Sequence, residues 1–166
     1  MEYKIYLLWA FIVIFLTYLI VIKRKFGWLP SISDSFYQWL KICDQNVAIG
    51  IFSGFLWTIS ILMMIIGGTN LIFLAGAGII MVGAEPYFKD NKEGKLHYIF
   101  AILGIGLGLA SMWIDFGMWY LPVIFLAGAG LLKYVFKIKN LTYWLEVFAV
   151  SLITFGLYKV VLGWIA

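Results

Sequence analysis

Long uninterrupted runs of apolar residues are the feature that most constrains how this chain folds. They lie at roughly 5–22, 45–66, 70–84, 97–113, 117–133 and 142–165, and the third and fifth runs are short. A helix needs about 20 apolar residues to cross a hydrocarbon core roughly 30 Å thick. The runs therefore predict an all-α, polytopic membrane helix bundle of about six transmembrane helices.

The composition favours a membrane protein over a water-soluble one. Hydrophobic residues make up 64% of the 166 residues, and charged residues only 12%. A soluble chain is about half apolar and about a quarter charged, so this chain carries too little charge to cover a surface in water. Six crossings leave no room for a second domain, and we expect residues 1–166 to form a single integral membrane domain.

The positive charges are distributed unequally between the two sides that alternating crossings define. Ten of the twelve lysines and arginines fall on or beside the loops around 23–44, 85–96 and 134–140, whereas only Lys4 and Lys159 lie toward the other side. Loops that are rich in Lys and Arg stay in the cytoplasm. This pattern predicts that both termini lie outside, and it explains the net charge of +4 without nucleic-acid binding. We expect the protein to lie in a bacterial cytoplasmic membrane.

The segment after the first run predicts a short interfacial helix. The first run ends in Lys23-Arg24-Lys25 and has no small-residue cleavage pattern, so we expect it to remain as an uncleaved anchor. Ser31 and Asp34 then have the S-x-x-D spacing that satisfies free amides at a helix start, and apolar residues follow at helical spacing.

One heptapeptide occurs twice in the chain. Residues 72–78 and 124–130 both read IFLAGAG, an offset of 52 residues. Small residues allow close approach of helix backbones in lipid, where apolar burial no longer favours association. Glycines predicted to mediate such packing are Gly76, Gly78, Gly104, Gly108, Gly128 and Gly130. The repeat has two structural interpretations, a duplicated hairpin or recurrent helix packing. It also has a functional one, because paired short, glycine-rich crossings flank binding sites in transporters.

Ionisable residues within the apolar runs are few and therefore informative. Glu85 closes the third run, His97 opens the fourth, and Glu146 lies about one turn inside the sixth. All three fall at the predicted inner edge, as does Asp34, and these four are the predicted ligand-binding residues. A carboxylate beside an imidazole favours the protonated ring, so a proton relay or pH-sensitive latch is one interpretation. Structural hydrogen bonding is the other.

Catalysis has less support in the sequence. Carboxylates and an imidazole can hold a divalent metal that activates water, but the chain has one histidine and no HxxxH or HExxH pair. There is no GxSxG elbow, and the lone Cys43 has no CxxC partner. The sequence therefore names no catalytic residue and no cofactor, disfavours an enzyme, and leaves metal binding open.

Three short stretches resemble a known family. LPSISDSFY at 29–37 follows the first run, Glu85-Pro86 ends the third, and Leu96-His97-Tyr98 opens the fourth. This pattern, which covers roughly residues 1–115, is similar to bacterial six-helix membrane proteins of unknown function, the DUF998-like proteins. Those proteins carry a P-x-x-SIS-D-like motif after helix one and a histidine opening helix four. The resemblance implies a six-span fold and no particular activity.

We therefore expect a multi-pass membrane protein that binds or transports a small solute, ion or lipid at a polar site near the cytoplasmic face. One alternative is a non-catalytic membrane scaffold, or a subunit of a membrane complex, whose small-residue faces contact a partner. Another is a metal-dependent membrane lipid hydrolase. The expected partners are membrane lipids together with a second copy of the chain or another membrane protein, and not nucleic acid.

Overall fold

The structure is a computed structural model that describes residues 2–84 and 95–163. In these ranges the regular secondary structure is entirely helical. The helices are α1 (Glu2–Phe26), α2 (Asp34–Trp39), α3 (Gln45–Gly67), α4 (Asn70–Ala84), α5 (Lys95–Ile114), α6 (Tyr120–Gly130) and α7 (Leu141–Val161). One π-helical turn, Leu131–Val135, continues α6. The predicted helical bundle is confirmed, and each apolar run of the sequence coincides with a helix.

Four of these helices, α1, α3, α5 and α7, are long and apolar enough to cross a membrane. The 23 residues of α3 rise about 35 Å, which exceeds the roughly 30 Å of a hydrocarbon core. By contrast, α4 has 15 residues and α6 has 11, so the predicted shortness of the third and fifth runs is confirmed. The bundle thus has the helices of a membrane-embedded protein.

Helices α1 and α3 pack antiparallel. Lys4 near the start of α1 donates from Nζ to the Ile66 carbonyl oxygen at the end of α3, at 3.0 Å. Toward the other end of α1, the Tyr18 and Phe55 rings stack with their centroids 3.7 Å apart. A cation at the carboxyl end of a helix also complements the helix dipole, so Lys4 supports this pairing electrostatically.

The remaining helices continue the alternation. The α4 backbone contacts α5 at Gly78 and Gly104, and the Thr69 hydroxyl just before α4 lies 3.2 Å from the Ser111 hydroxyl late in α5. The α6 helix packs antiparallel on α7, since Lys159 late in α7 donates to the Tyr120 hydroxyl at the start of α6 at 3.2 Å. As a result α5 and α7 run in the same direction and end on the same side.

The short helix α2 lies across the end of the α1–α3 pair. It buries Ser35, Phe36 and Trp39. Trp39 meets Phe26 of α1 edge-on at 5.1 Å between centroids, and Phe36 lies 5.8 Å from Phe52 of α3. A short helix thus follows the first apolar run and packs on both α1 and α3.

The predicted cap of α2 forms in part. The Ser31 hydroxyl accepts a hydrogen bond from the Asp34 amide at 3.1 Å and donates to the Asp34 carboxylate at 2.8 Å. The hydroxyl therefore satisfies an amide at the helix start, as the S-x-x-D spacing predicts. The Asp34 carboxylate accepts from the same hydroxyl instead of from a backbone amide.

Candidate functional site

The connection between α1 and α2 folds back onto the bundle and builds the candidate site. Gly27 ends α1 with φ +77°, and its amide donates to the Lys23 carbonyl at 2.9 Å. A residue without a Cβ takes this left-handed conformation at no steric cost, and Pro30 then prevents a helix from restarting. Leu29 and Ile32 are buried, so they anchor the returning segment.

The first turns of α7 receive this segment through two backbone groups. The Tyr143 amide, which has no partner inside its own helix, donates to the Pro30 carbonyl at 2.9 Å. The Ile32 amide donates to Oε2 of Glu146 at 2.6 Å. Both bonds join the α1–α2 connection to α7, so Glu146 takes part in a tertiary contact.

Asp34 and Glu146 are the two predicted ligand-binding residues that the structure brings together. Both side chains are half-buried. The Asp34 carboxylate lies near enough to Glu146 to repel its negative charge. Among the side chains that the structure describes, no lysine or arginine pairs with either carboxylate. The two acidic residues therefore have no compensating cation from the described side chains.

A buried pair of hydroxyl groups joins α1 to α2, the helix that begins at Asp34. Tyr18 of α1 and Ser35 of α2 are buried, and their hydroxyl oxygens lie 2.6 Å apart. The buried indole nitrogen Nε1 of Trp39, which lies on the same side of α2, has no hydrogen-bond partner within the described residues. The Tyr18–Ser35 bond thus fixes the short helix that carries Asp34 against α1.

His97 lies apart from this pair in the described contacts. It occupies the first turn of α5, where its ring meets the Tyr98 ring edge-on at 5.8 Å between centroids. The groups that act on the Glu146 carboxylate are the Ile32 amide and the Asp34 charge, and His97 is not one of them. Glu85, the fourth predicted ligand-binding residue, lies outside the described residues.

Metal-ligating side chains do not cluster in the described ranges. No group of three or more His, Cys, Asp or Glu side chains that could hold a metal ion occurs among residues 2–84 and 95–163. Asp34 and Glu146 supply oxygen donors only, which suit hard cations better than zinc.

The glycines of the first IFLAGAG copy hold α4 against its neighbours. A Cβ added at Gly78 would lie 2.9 Å from the Gly104 amide nitrogen, and one at Gly104 would lie 2.8 Å from Cγ1 of Ile79. A Cβ at Gly76 would meet the Met64 side chain of α3 at 2.6 Å. Backbone therefore lies directly against backbone between α4 and α5, as small residues permit in lipid.

The second copy, in α6, is packed differently. A Cβ added at Gly128 would lie against the Phe148 ring of α7, as one at Gly108 of α5 would lie against Ile153 of α7. At Gly130, however, an added Cβ would meet nothing within 4 Å. The two identical heptapeptides thus have different neighbours, because α4 lies between α3 and α5 whereas α6 lies against α5 and α7.

Two groups of the site could not be predicted from the sequence, because both belong to the backbone. The Ile32 amide and the Pro30 carbonyl hold the connection to α7, and backbone groups of this kind are present at every position. A third feature, the cluster of Trp28, Tyr143 and Trp144 rings, has a side-chain signal in the aromatic residues at the predicted inner interface.

The fold and site thus define a helical membrane protein with an acidic pair at one end of its bundle. Comparisons with protein-family models, curated proteins and solved structures each gave no match for the chain.

Proposed function

We propose that the chain is a six-crossing membrane protein that binds or transports a small cation at Asp34 and Glu146, near the cytoplasmic face. One observation carries the proposal: the Ile32 amide that binds Glu146 lies two residues from Asp34, and no lysine or arginine pairs with either carboxylate among the described side chains. Placing acidic groups inside an apolar bundle is costly unless a partner compensates them. A cation from solution supplies that partner.

The six crossings include the two shorter apolar helices. The 15 residues of α4 rise about 22 Å, and α6 with its π-helical turn rises about 24 Å. Helices shorter than the hydrocarbon core are accommodated by local thinning of the bilayer. The antiparallel order of α3 to α7 supports this assignment, and the distribution of lysine and arginine supports outer termini.

In the proposed mechanism, neighbouring hydrogen-bond donors orient the Asp34 and Glu146 carboxylates for cation binding. The Ile32 amide occupies Oε2 of Glu146, and the Ser31 hydroxyl occupies Oδ2 of Asp34. Each carboxylate keeps its second oxygen for a ligand, and their mutual repulsion falls when a cation lies between them. A cation bound there also links the α2 connection to α7, so binding stabilises their contact.

Thermal unfolding of the purified protein in detergent tests the binding proposal. Na⁺, K⁺, Mg²⁺, Ca²⁺ and tetramethylammonium are each added alone at constant ionic strength. We expect at least one to raise the unfolding temperature in a saturable way, because a ligand that binds only the folded state stabilises it by mass action. Asp34→Asn and Glu146→Gln should each abolish the rise. Asp115→Asn, a matched change at the other end of the bundle, should retain it.

A persistent rise in both Asp34→Asn and Glu146→Gln would refute the acidic pair as the binding site. If no cation in the panel stabilises the wild-type protein, cation binding is refuted as well. Neither result would bear on the six crossings, because that assignment depends on helix length and loop charge.

A scaffold function is the second candidate, favoured by one surface of α3. Gly50 and Gly54 have the GxxxG spacing, and an added Cβ at either would meet nothing within 4 Å. Both are exposed, so this small-residue face is available to a helix of another chain. Gly54→Ile should then dissociate an assembly isolated from the membrane, whereas Gly106→Ile, an equally open position on α5, should leave the assembly intact.

A further inference from the structure

A groove lies between α1 and α7, and neither Asp34 nor Glu146 lines it. Its volume is about 390 Å³, which is within the usual range for a small-molecule site. Its walls are mainly aliphatic and aromatic. Residues that mark its course are Trp9, Ile12, Leu16 and Leu19 on α1, with Val147 and Tyr158 at its two ends on α7.

The two aliphatic hydroxyl groups of the groove are already used within their own helix. The Ser151 hydroxyl donates to the Val147 carbonyl at 2.7 Å, and the Thr154 hydroxyl donates to the Val150 carbonyl at 2.6 Å. Neither donor is left for a polar ligand. The groove therefore suits an apolar occupant, since an unfilled apolar surface would forfeit its van der Waals contacts.

The length of the groove matches one acyl chain. From Trp9 to Leu19 the α1 helix rises about 15 Å, which is half of the roughly 30 Å hydrocarbon core. A hydrocarbon chain from one leaflet covers that depth. The groove thus has the length of a single lipid tail and is too short for a second full-length transmembrane helix.

The charge at one end of the groove indicates which lipid fits. Lys23 follows Leu19 by one helical turn on the same face of α1, about 6 Å beyond the end of the groove. Its Nζ lies 4.3 Å from the centroid of the Trp28 ring. The centroids of the Trp28 and Trp144 rings are 5.0 Å apart. Trp144 continues the groove face of α7, one turn before Val147. A cation and two indoles therefore stand where a headgroup would lie.

We propose that this groove binds one acyl chain of an anionic phospholipid, whose phosphate is held at Lys23 beside Trp28 and Trp144. The apolar walls account for the tail, and the exposed lysine accounts for the preference for a negative headgroup. The lipid belongs to the leaflet on the Lys23 side of the bundle. The proposal does not require cation binding, because neither Asp34 nor Glu146 lines the groove.

Native mass spectrometry of the detergent-solubilised protein tests this site. Phosphatidylglycerol and phosphatidylcholine with identical acyl chains are added in equal amounts. We expect the wild-type chain to retain one phosphatidylglycerol in preference to phosphatidylcholine. Lys23→Gln should reduce that preference about fivefold, the usual effect of one lysine at an anionic surface. Arg24→Gln, an identical loss of charge on the adjacent face, should leave the preference close to that of wild type.

A second pair of variants tests the groove itself. Ser151→Phe fills the groove with a ring, so it should reduce retention of both lipids, and circular dichroism should show an unchanged helical fold. Thr58→Phe is the matched control, because Thr58 is also exposed and donates to its own helix, at the Gly54 carbonyl. Equal effects of Lys23→Gln and Arg24→Gln, or unchanged lipid retention in Ser151→Phe, would overturn the proposal. So would a wild-type dimer that Ser151→Phe converts to a monomer, since a second copy would then occupy the groove.

Discussion

The Ile32 amide donates a 2.6 Å hydrogen bond to Oε2 of Glu146, across 114 positions of sequence. This bond gives the acidic residue of α7 a structural role in addition to its proposed part in cation binding. It fixes the connection that carries Asp34, so the two carboxylates approach each other because the chain folds, before any ligand is present. The acidic pair is therefore preorganised.

Loss of the Glu146 acceptor should destabilise the protein. Glu146→Ala leaves the Ile32 amide without its partner in a half-buried site, which typically costs about 1–3 kcal/mol. For a chain of this size, each kcal/mol lowers the unfolding temperature by about 2–4 °C. Glu146→Gln keeps an acceptor oxygen and should unfold close to wild type in the absence of added cations. Equal unfolding temperatures for Glu146→Ala and wild type would show that the bond contributes nothing.

The α4–α5 contact should tolerate no added bulk. Gly104→Leu places a side chain against the α4 backbone at Ala75 and Ile79, so α4 and α5 must separate. Overpacking of this kind costs about 1–3 kcal/mol or more. Gly106→Leu adds the same side chain two positions away, where a Cβ meets nothing within 4 Å. Size-exclusion profiles and thermal unfolding should separate the two variants, and identical behaviour would contradict the close approach of the two backbones.

The Tyr18–Ser35 hydroxyl pair should show energetic coupling. Tyr18→Phe leaves the buried Ser35 hydroxyl without its partner, and Ser35→Ala does the same to Tyr18. Each single change should cost about 1 kcal/mol, and the double variant should cost little more than either. A double-mutant cycle of unfolding free energies measures this coupling. Additive effects of the two changes would mean that the hydroxyls do not interact.

Cysteine labelling tests the six crossings and their orientation. In a Cys43→Ser background, Asp115→Cys places a thiol in the α5–α6 turn, and Lys139→Cys places one before α7; both positions are exposed. A membrane-impermeant maleimide should label position 115 on intact cells and position 139 only after permeabilisation. Labelling of both positions on the same side would mean that α6 does not cross, and the reverse pattern would invert the orientation.

Much of the bundle could be predicted from the sequence because apolar run length translates directly into helix length. The close glycine contacts of α4 and α5 follow from the same physics, since small residues are the means of approach in lipid. Gly130 shows the limit: it has the same local sequence as Gly78, yet an added Cβ there meets nothing, because neighbouring helices decide which face is covered.

The acidic site was only partly accessible to sequence reasoning. Charge within an apolar run singled out Glu146, and the predicted inner edge grouped it with Asp34. The sequence could not show that the Ile32 amide would meet Glu146, because any backbone amide can fill that role. The groove between α1 and α7 likewise depends on how two distant helices pack.

Calorimetric titration of the purified wild-type protein, with the cation that stabilises it most, tests the central claim that Asp34 and Glu146 together hold a cation. We predict one saturable site per chain in wild type and in Asp115→Asn, and no measurable binding in Asp34→Asn or Glu146→Gln. Binding of unchanged affinity and stoichiometry in both of those variants would contradict the claim.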